Sequence, residues 1–356
     1  MNLKIFNILN HATPPPAKTG TPNLEVPLDT RGRFDYLDAH KILGLCCLAV
    51  IPLIVALAAT WCLLFVNPVR AKTPSVVIYT SQDEEFAEPI FKDFEKETGI
   101  AVKPVFDSEA VKTVGLVNRL LAEKSHPQCD VFWNNEELRT RMLASRGMFR
   151  ETNGWALLGY RTRRIVVNTN LLPVARAPHT YSEATNAAWR GKFALAYPLF
   201  GTTGAHFLAL RQHWGDERWQ AWCRALEANK AMLVDGNSVV VKLVGNGETT
   251  FGFTDSDDIA GAQREGLPVA ALPMNDETLL VHNSAGVLRG APHPAEAQRL
   301  FEYLQSKPVL DRLLREHALE SATPEAPDAP HLKVDWDALL RDIDAGTKEM
   351  DQIFLR

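Results

Sequence analysis

Residues 76–105 read VVIYTSQDEEFAEPIFKDFEKETGIAVKPV, and this stretch decides the fold class. Val76-Val77-Ile78-Tyr79 is a short β-branched run that predicts a strand. The loop Thr80-Ser81-Gln82-Asp83-Glu84-Glu85 follows, its acidic residues placed where the first turn of a helix favours negative charge. Phe86, Ile90, Phe91 and Phe94 then recur at helical spacing. Thr98-Gly99 stops that helix, and Ile100 to Val105 makes a second strand. Asp107-Ser108-Glu109 opens another helix through Leu121, with Val114, Val117, Leu120 and Leu121 on one face, and Cys129 to Trp133 is a third strand. Strand–helix alternation at this spacing predicts a parallel, doubly wound α/β sheet.

Sheets of this kind place ligands at the carboxyl ends of their strands, beside helix N-termini. Three polar loops fall there: Ser81-Gln82-Asp83, Asp107-Ser108 and Asn134-Asn135-Glu136. Singly, each reads as a capping turn; together they make half of a binding cleft. Farther on, residues 164–169 form a strand suited to crossing into a second lobe, and Phe193 to Tyr197 forms another. Pro198-Leu199-Phe200-Gly201-Thr202-Thr203-Gly204-Ala205-His206 follows, with glycines that let backbone approach a ligand and threonine hydroxyls at a helix start. That combination suits an anion, although no Walker pattern is present and His206 reads as structural. Asp235-Gly236-Asn237-Ser238 precedes an apolar helix over Val239 to Val244. Phe251-Gly252-Phe253 runs into Thr254-Asp255-Ser256-Asp257-Asp258, whose clustered carboxylates read either as an acidic first turn or as a seat for a hard cation or amine.

The chain has 356 residues, 23% charged and 46% hydrophobic, which excludes collagen-like and wholly disordered classes. A net charge of −5 argues against nucleic acid as the main partner. Ile42 to Val66 carries no charge over 25 residues. As a helix it would run about 37 Å, enough for a hydrocarbon core of about 30 Å, so 42–66 is expected to be an uncleaved transmembrane signal anchor. Arg31, Arg33 and Lys41 upstream against Arg70 and Lys72 downstream place the flexible, proline-containing tail 1–41 inside. Six Lys/Arg and four Asp/Glu fall at or before residue 70, leaving 32 against 39 in the acidic remainder. Of five cysteines only Cys129 and Cys223 lie outside the apolar span, and both read as small buried hydrophobes. Trp214, Trp219 and Trp222 have helical spacing and read as core. GxSxG, HExxH, CxxC and GxGxxG are absent, and no nucleophile–base–orienter set is visible, so an enzyme is not expected.

The segments VVIYTSQDEEFAEPIFKDFEKETGI, DVFWNNE, GYRTRRIVVNTN, WRGKFALAYPLFGTTGAH, VDGNSVVVKLVGNGETTFGFTDSDD and LLVHNSAGVLRGAPHPAEAQRLFEYL, in that order, resemble the solute-binding proteins of ABC importers. The likeness is to the iron(III)-binding type with the type 2 periplasmic-binding fold, over roughly residues 75–320. It implies two α/β lobes, 75–166 plus 268–320 and 167–267, with 321–356 a C-terminal segment whose helix packs back. It implies hinge closure on ligand and delivery to a membrane permease with a cytosolic ATPase, from a domain held in the periplasm or extracellular space. Ser81, Gln82, Ser108, Asn134 and Asn135 would serve from lobe one, and Thr202, Thr203, Asn237, Ser238, Asp255 and Asp258 from lobe two. Asp255, Asp257 and Asp258 are the metal candidates. Ferric-binding members carry adjacent tyrosines where this chain has Asp257-Asp258, and none of its six tyrosines is adjacent to another. The resemblance, rather than these residues, implies ferric iron or a related metal, with an anion, as the cargo. The alternatives are a phosphorylated or other organic ion, or a ligand-sensing module of a signalling system. No resident cofactor is required.

Overall fold

The computed structural model of the chain describes residues 73–107 and 113–355, together with Val55. The chain divides into two compact units, Met1–Ala71 and Lys72–Arg356, and every element below belongs to the second. The expected tail 1–41 and membrane span 42–66, like Ser108, lie outside the described residues apart from Val55. Among the described residues no helix is long and apolar enough to cross a membrane.

The deciding stretch folds as its periodicity requires. Strand β1 (Ser75–Thr80) leads into α1 (Glu84–Thr98), which buries Phe86, Ala87, Ile90, Phe91 and Phe94 and ends at Gly99 in the left-handed conformation. Next come β2 (Ala101–Phe106), α2 (Val114–Ala122), β3 (Val131–Asn134) and α3 (Glu137–Ser145). β1 lies between β2 and β3, parallel to both.

The wholly parallel sheet expected from that alternation is not what forms. β4 (Trp155–Asn168), fourteen residues long, and β9 (Leu280–Val287) run antiparallel to one another through the middle, and β9 is also antiparallel to β3. Beyond them β7 (Phe251–Asp255) and β8 (Val269–Ala271) pair antiparallel with the second part of β4, while β5 (Phe193–Ala196) is parallel to β7 and to β6 (Met232–Val234). The strand order is β2-β1-β3-β9-β4-β7-β5-β6, with β8 beside β4. Local alternation reports which neighbours are parallel, but it carries no trace of a strand that returns from more than a hundred residues away. The sheet is therefore mixed: two parallel halves joined by long antiparallel strands. Gly159 marks a bulge in β4, where a Cβ would stand 2.3 Å from the Ser321 carbonyl of the segment passing behind.

The second half carries α4 (Gly201–Trp214), α5 (Asp216–Ala228), α6 (Asn237–Gly245) and α7 (Ser256–Arg264). After β9 come α8 (Pro294–Leu304), α9 (Lys307–Arg315) and, beyond an extended stretch, α10 (Trp336–Phe354). α10 buries Leu339, Ile343, Met350 and Phe354 in the core that holds Trp219, Trp222 and Cys223. Its Gly346 lets it sit close to α4, since a Cβ there would meet Leu208 at 2.4 Å. Cys129 and Cys223 are both free and buried.

Candidate functional site

Five helices begin at one place. Asp83 at the start of α1, Asn135 before α3, Gly201 to Thr203 opening α4, Asp235 to Asn237 at α6, and Asp255 to Asp258 at α7 all line a single cleft with Arg161, Tyr197 and Phe200. Each helix directs the positive end of its dipole there, and among the described residues no side chain caps α4, α6 or α7. The free volume is about 40 Å³, room for a few water-sized groups.

Two arginines organise the cleft floor. Arg161 and Arg163 sit two residues apart on β4, so they share a face, and they are 2% and 0% exposed. Arg163 Nη1 donates to Asp255 Oδ1 at 2.7 Å and to Asn237 Oδ1 at 2.9 Å. Arg161 Nη2 donates to Asp255 Oδ2 at 2.9 Å, its Nη1 donates to the Asn135 carbonyl at 2.6 Å, and its Nε lies 3.1 Å from Asp257. Arg161 thereby ties the turn after β3 to the end of β7, joining the two parallel halves. Thr202 adds a donor to Asp255 at 2.8 Å, and Asn237 donates to Thr202 at 2.9 Å. Burial disfavours the Asp255 charge, but Arg163 and then Arg161 outweigh it and hold the carboxyl down at about 2. Asp255 is thus the counter-ion of two guanidiniums.

Asp257 and Asp258 stand beside this pair. Oxygens of Asp255, Asp257 and Asp258 all lie within 4.8 Å of one another, and Thr254 Oγ1 donates to Asp258 at 3.0 Å. Asp83 and Asp235 add two more carboxylates to the wall. The cleft therefore presents carboxylates and helix N-termini side by side, able to receive a positive and a negative group together.

Of the residues singled out in the sequence, Asn135, Thr202, Thr203, Asn237, Asp255, Asp257 and Asp258 line the cleft. Ser238 lines an adjoining hollow with Asp83, Asp257 and Asp258. Ser81, Gln82 and Asn134 are buried beneath the strand ends. Ser81 Oγ donates to Asn134 Oδ1 at 2.5 Å, the Gln82 N–H donates to Thr80, and the Asn134 amide donates to the Glu136 carbonyl and to Thr140. They fix the loop rather than face the cavity. His206 is fully buried with Nε2 2.8 Å from the Glu277 carbonyl, and burial, then Arg163, pushes its pKa down to about 3. Sequence reading passed over Arg161 and Arg163. Their signal was the strand period itself, since alternate residues 161, 163, 165 and 167 share one face of β4.

The family described as "Bacterial extracellular solute-binding protein" matches residues 76–316. The chain belongs to that family, which places it among solute-binding proteins and not among enzymes. The major ferric iron-binding protein of Neisseria meningitidis is 22% identical over 290 residues, covering 74% of this chain and 84% of the relative. Iron-bound HitA from Pseudomonas aeruginosa superposes with a TM-score of 0.69 at 20% identity, over 79% of this chain and 99% of that one. AfuA from Actinobacillus pleuropneumoniae, solved with exogenous fructose-6-phosphate bound, gives 0.66 at 18% identity over 79% and 98%. At these identities the superpositions establish the shared two-lobed periplasmic-binding fold.

Proposed function

We propose that the chain is the extracytoplasmic receptor of an ABC importer, tethered by residues 42–66, and that its cleft closes on a hard cation held together with a small anion. Lobes 75–166 plus 268–320 and 167–267 would swing about the crossing strands β4 and β9 and pass the solute to a permease driven by a cytosolic ATPase. The observation that carries this reading is the meeting, in one cleft, of the carboxylates of Asp83, Asp235, Asp257 and Asp258 with the uncapped starts of α4 and α6. Carboxylate oxygens suit a hard cation, and the first-turn N–H groups with Thr202 and Thr203 suit the oxygens of an anion. Ferric iron is the particular cation proposed, because the Neisseria relative is named for it and the Pseudomonas structure is iron-bound. The aspartates, with Tyr197 of the cleft wall, would supply the oxygen ligands.

A second reading, a phosphorylated organic solute, is favoured by Thr202 and Thr203 at the start of α4 in the cleft wall and by the sugar phosphate in the Actinobacillus relative. The carboxylates of Asp83, Asp235, Asp257 and Asp258 in the same wall favour a cation with its anion over an organic phosphate alone. The test is thermal unfolding of the purified chain after chelator treatment. It is repeated with ferric citrate, ferric phosphate, phosphate alone and fructose 6-phosphate. A ligand of the folded state adds about 2.7 kcal/mol at about a hundredfold excess over its Kd. The first reading requires a rise with metal and anion together that Asp257→Asn/Asp258→Asn abolishes. A rise with fructose 6-phosphate alone transfers the cleft to the second reading.

A further inference from the structure

A second cavity lies between α2, α3 and α10, and among the described residues it shares only Phe200 with the cleft. Its volume is about 530 Å³, within the range of small-molecule sites. Val117, Leu121, Met142, Leu199, Phe200 and Ile343 give it an apolar wall. Set in that wall is Arg139, only 6% exposed. Its Nη1 is buried without a partner, and among the described residues its guanidinium forms no ion pair. Glu136 and Asp344 attract its charge from a distance, but burial prevails and lowers its pKa. Arg146 and Lys348 also border the cavity, against Asp344 and Asp351, so with Arg139 the balance among the described residues is one net positive charge. A buried, unpaired guanidinium is a standing cost to folding, and the group that removes the cost is an anion.

We propose that this cavity is a second ligand site, taking an organic anion with an apolar body, of the class of a medium-chain carboxylate, whose charged end pairs with Arg139. The ligand's chain buries apolar surface along Val117, Leu121 and Ile343, while its carboxylate pairs with the Arg139 guanidinium set in the wall. Electrostatic complementarity chooses the anion, and the apolar wall supplies most of the attraction.

The probe is decanoate, titrated calorimetrically into the full chain, with decanol as the uncharged control. Decanoate is expected to bind one to one, about tenfold or more tighter than decanol. Arg139→Gln is expected to weaken decanoate about tenfold and to leave decanol unchanged. Because a change at a buried residue can disturb folding, Thr347→Trp provides an independent arm. It fills the cavity from α10 and leaves the Arg139 side chain in place, and it is expected to abolish decanoate binding. Equal affinity for decanoate and decanol, retention of decanoate affinity in Arg139→Gln, or no saturable binding at about millimolar probe overturns the assignment. None of these outcomes depends on what the cleft carries.

Discussion

Arg161 and Arg139 are both nearly removed from solvent, at 2% and 6% exposed, yet their surroundings are opposite. Arg161 has Asp255, Asp257 and the Asn135 carbonyl around it, and shares Asp255 with Arg163. Arg139 has an apolar wall and a guanidinium nitrogen without a partner. A buried cation supplied with its own counter-ion is a fixture of the fold, which here bridges the turn after β3 and the end of β7. A buried cation that no described residue pairs is one for which an anion from outside the chain would offset the desolvation cost. The difference teaches that burial alone does not identify a site; what matters is whether the chain itself completes the charge.

The largest test strikes the completed side. Asp255→Ala strips two buried guanidiniums of their common carboxylate, and unfolding by urea is expected to show a loss of about 3–5 kcal/mol. Asp255→Asn keeps the shape and should fall short of that loss. If Asp255→Ala costs no more than an exposed ion pair, about 1 kcal/mol or less, the floor of the cleft is not held as described.

Glu136 belongs to both regions, and its titration gives the next largest effect. Its side chain accepts from the Arg139 N–H at the start of α3, and it is 1% exposed. Burial pushes its pKa up to about 7, although Arg139 pulls the other way. The folded state therefore binds a proton that the unfolded chain has already released above its ordinary value of about 4.3. Stability from this group is full below about pH 4 and is lost as pH rises through about 7, by about 3 kcal/mol in all. Glu136→Gln should remove that fall from the pH dependence of urea midpoints. A slope unchanged by the substitution would mean that Glu136 is ionised throughout and already serves as partner to Arg139.

Much of this was legible in the sequence, for definite reasons. α1 was readable because Phe86, Ile90, Phe91 and Phe94 form a helical face and Gly99 stops it. The starts of α4, α6 and α7 were readable because Gly-Thr-Thr, Gly-Asn-Ser and Asp-Ser-Asp-Asp are polar clusters between apolar runs. The antiparallel insertion of β9 was not, because pairing between residues 131–134 and 284–287 has no local signature. Ser81 and Asn134 were read as ligand groups although they turn inward to each other. Residue type marks the end of a strand but does not say which side chain faces the cavity. Arg139 sits in ELRTRMLAS, a helix whose charges alternate with apolar residues without a clean amphipathic face, so nothing in the spacing marked it as buried.

The smallest effect carries the opposite sign and separates the two arginines most directly. Arg139→Met replaces an unpaired guanidinium with an apolar side chain of similar length against Met142, Leu121 and Ile343. It removes a desolvated charge and adds apolar contact, so the chain is expected to gain about 1–2 kcal/mol, read as a higher urea midpoint at unchanged slope. The same exchange at Arg161 should destabilise, because Asp255 and Asp257 would lose a guanidinium that both face. If Arg139→Met also destabilises, a counter-charge must reach Arg139 in solution, and the two regions differ less than their geometry states. If it stabilises, the fold keeps Arg139 at the expense of its own stability, as expected of a residue whose partner comes from outside the chain.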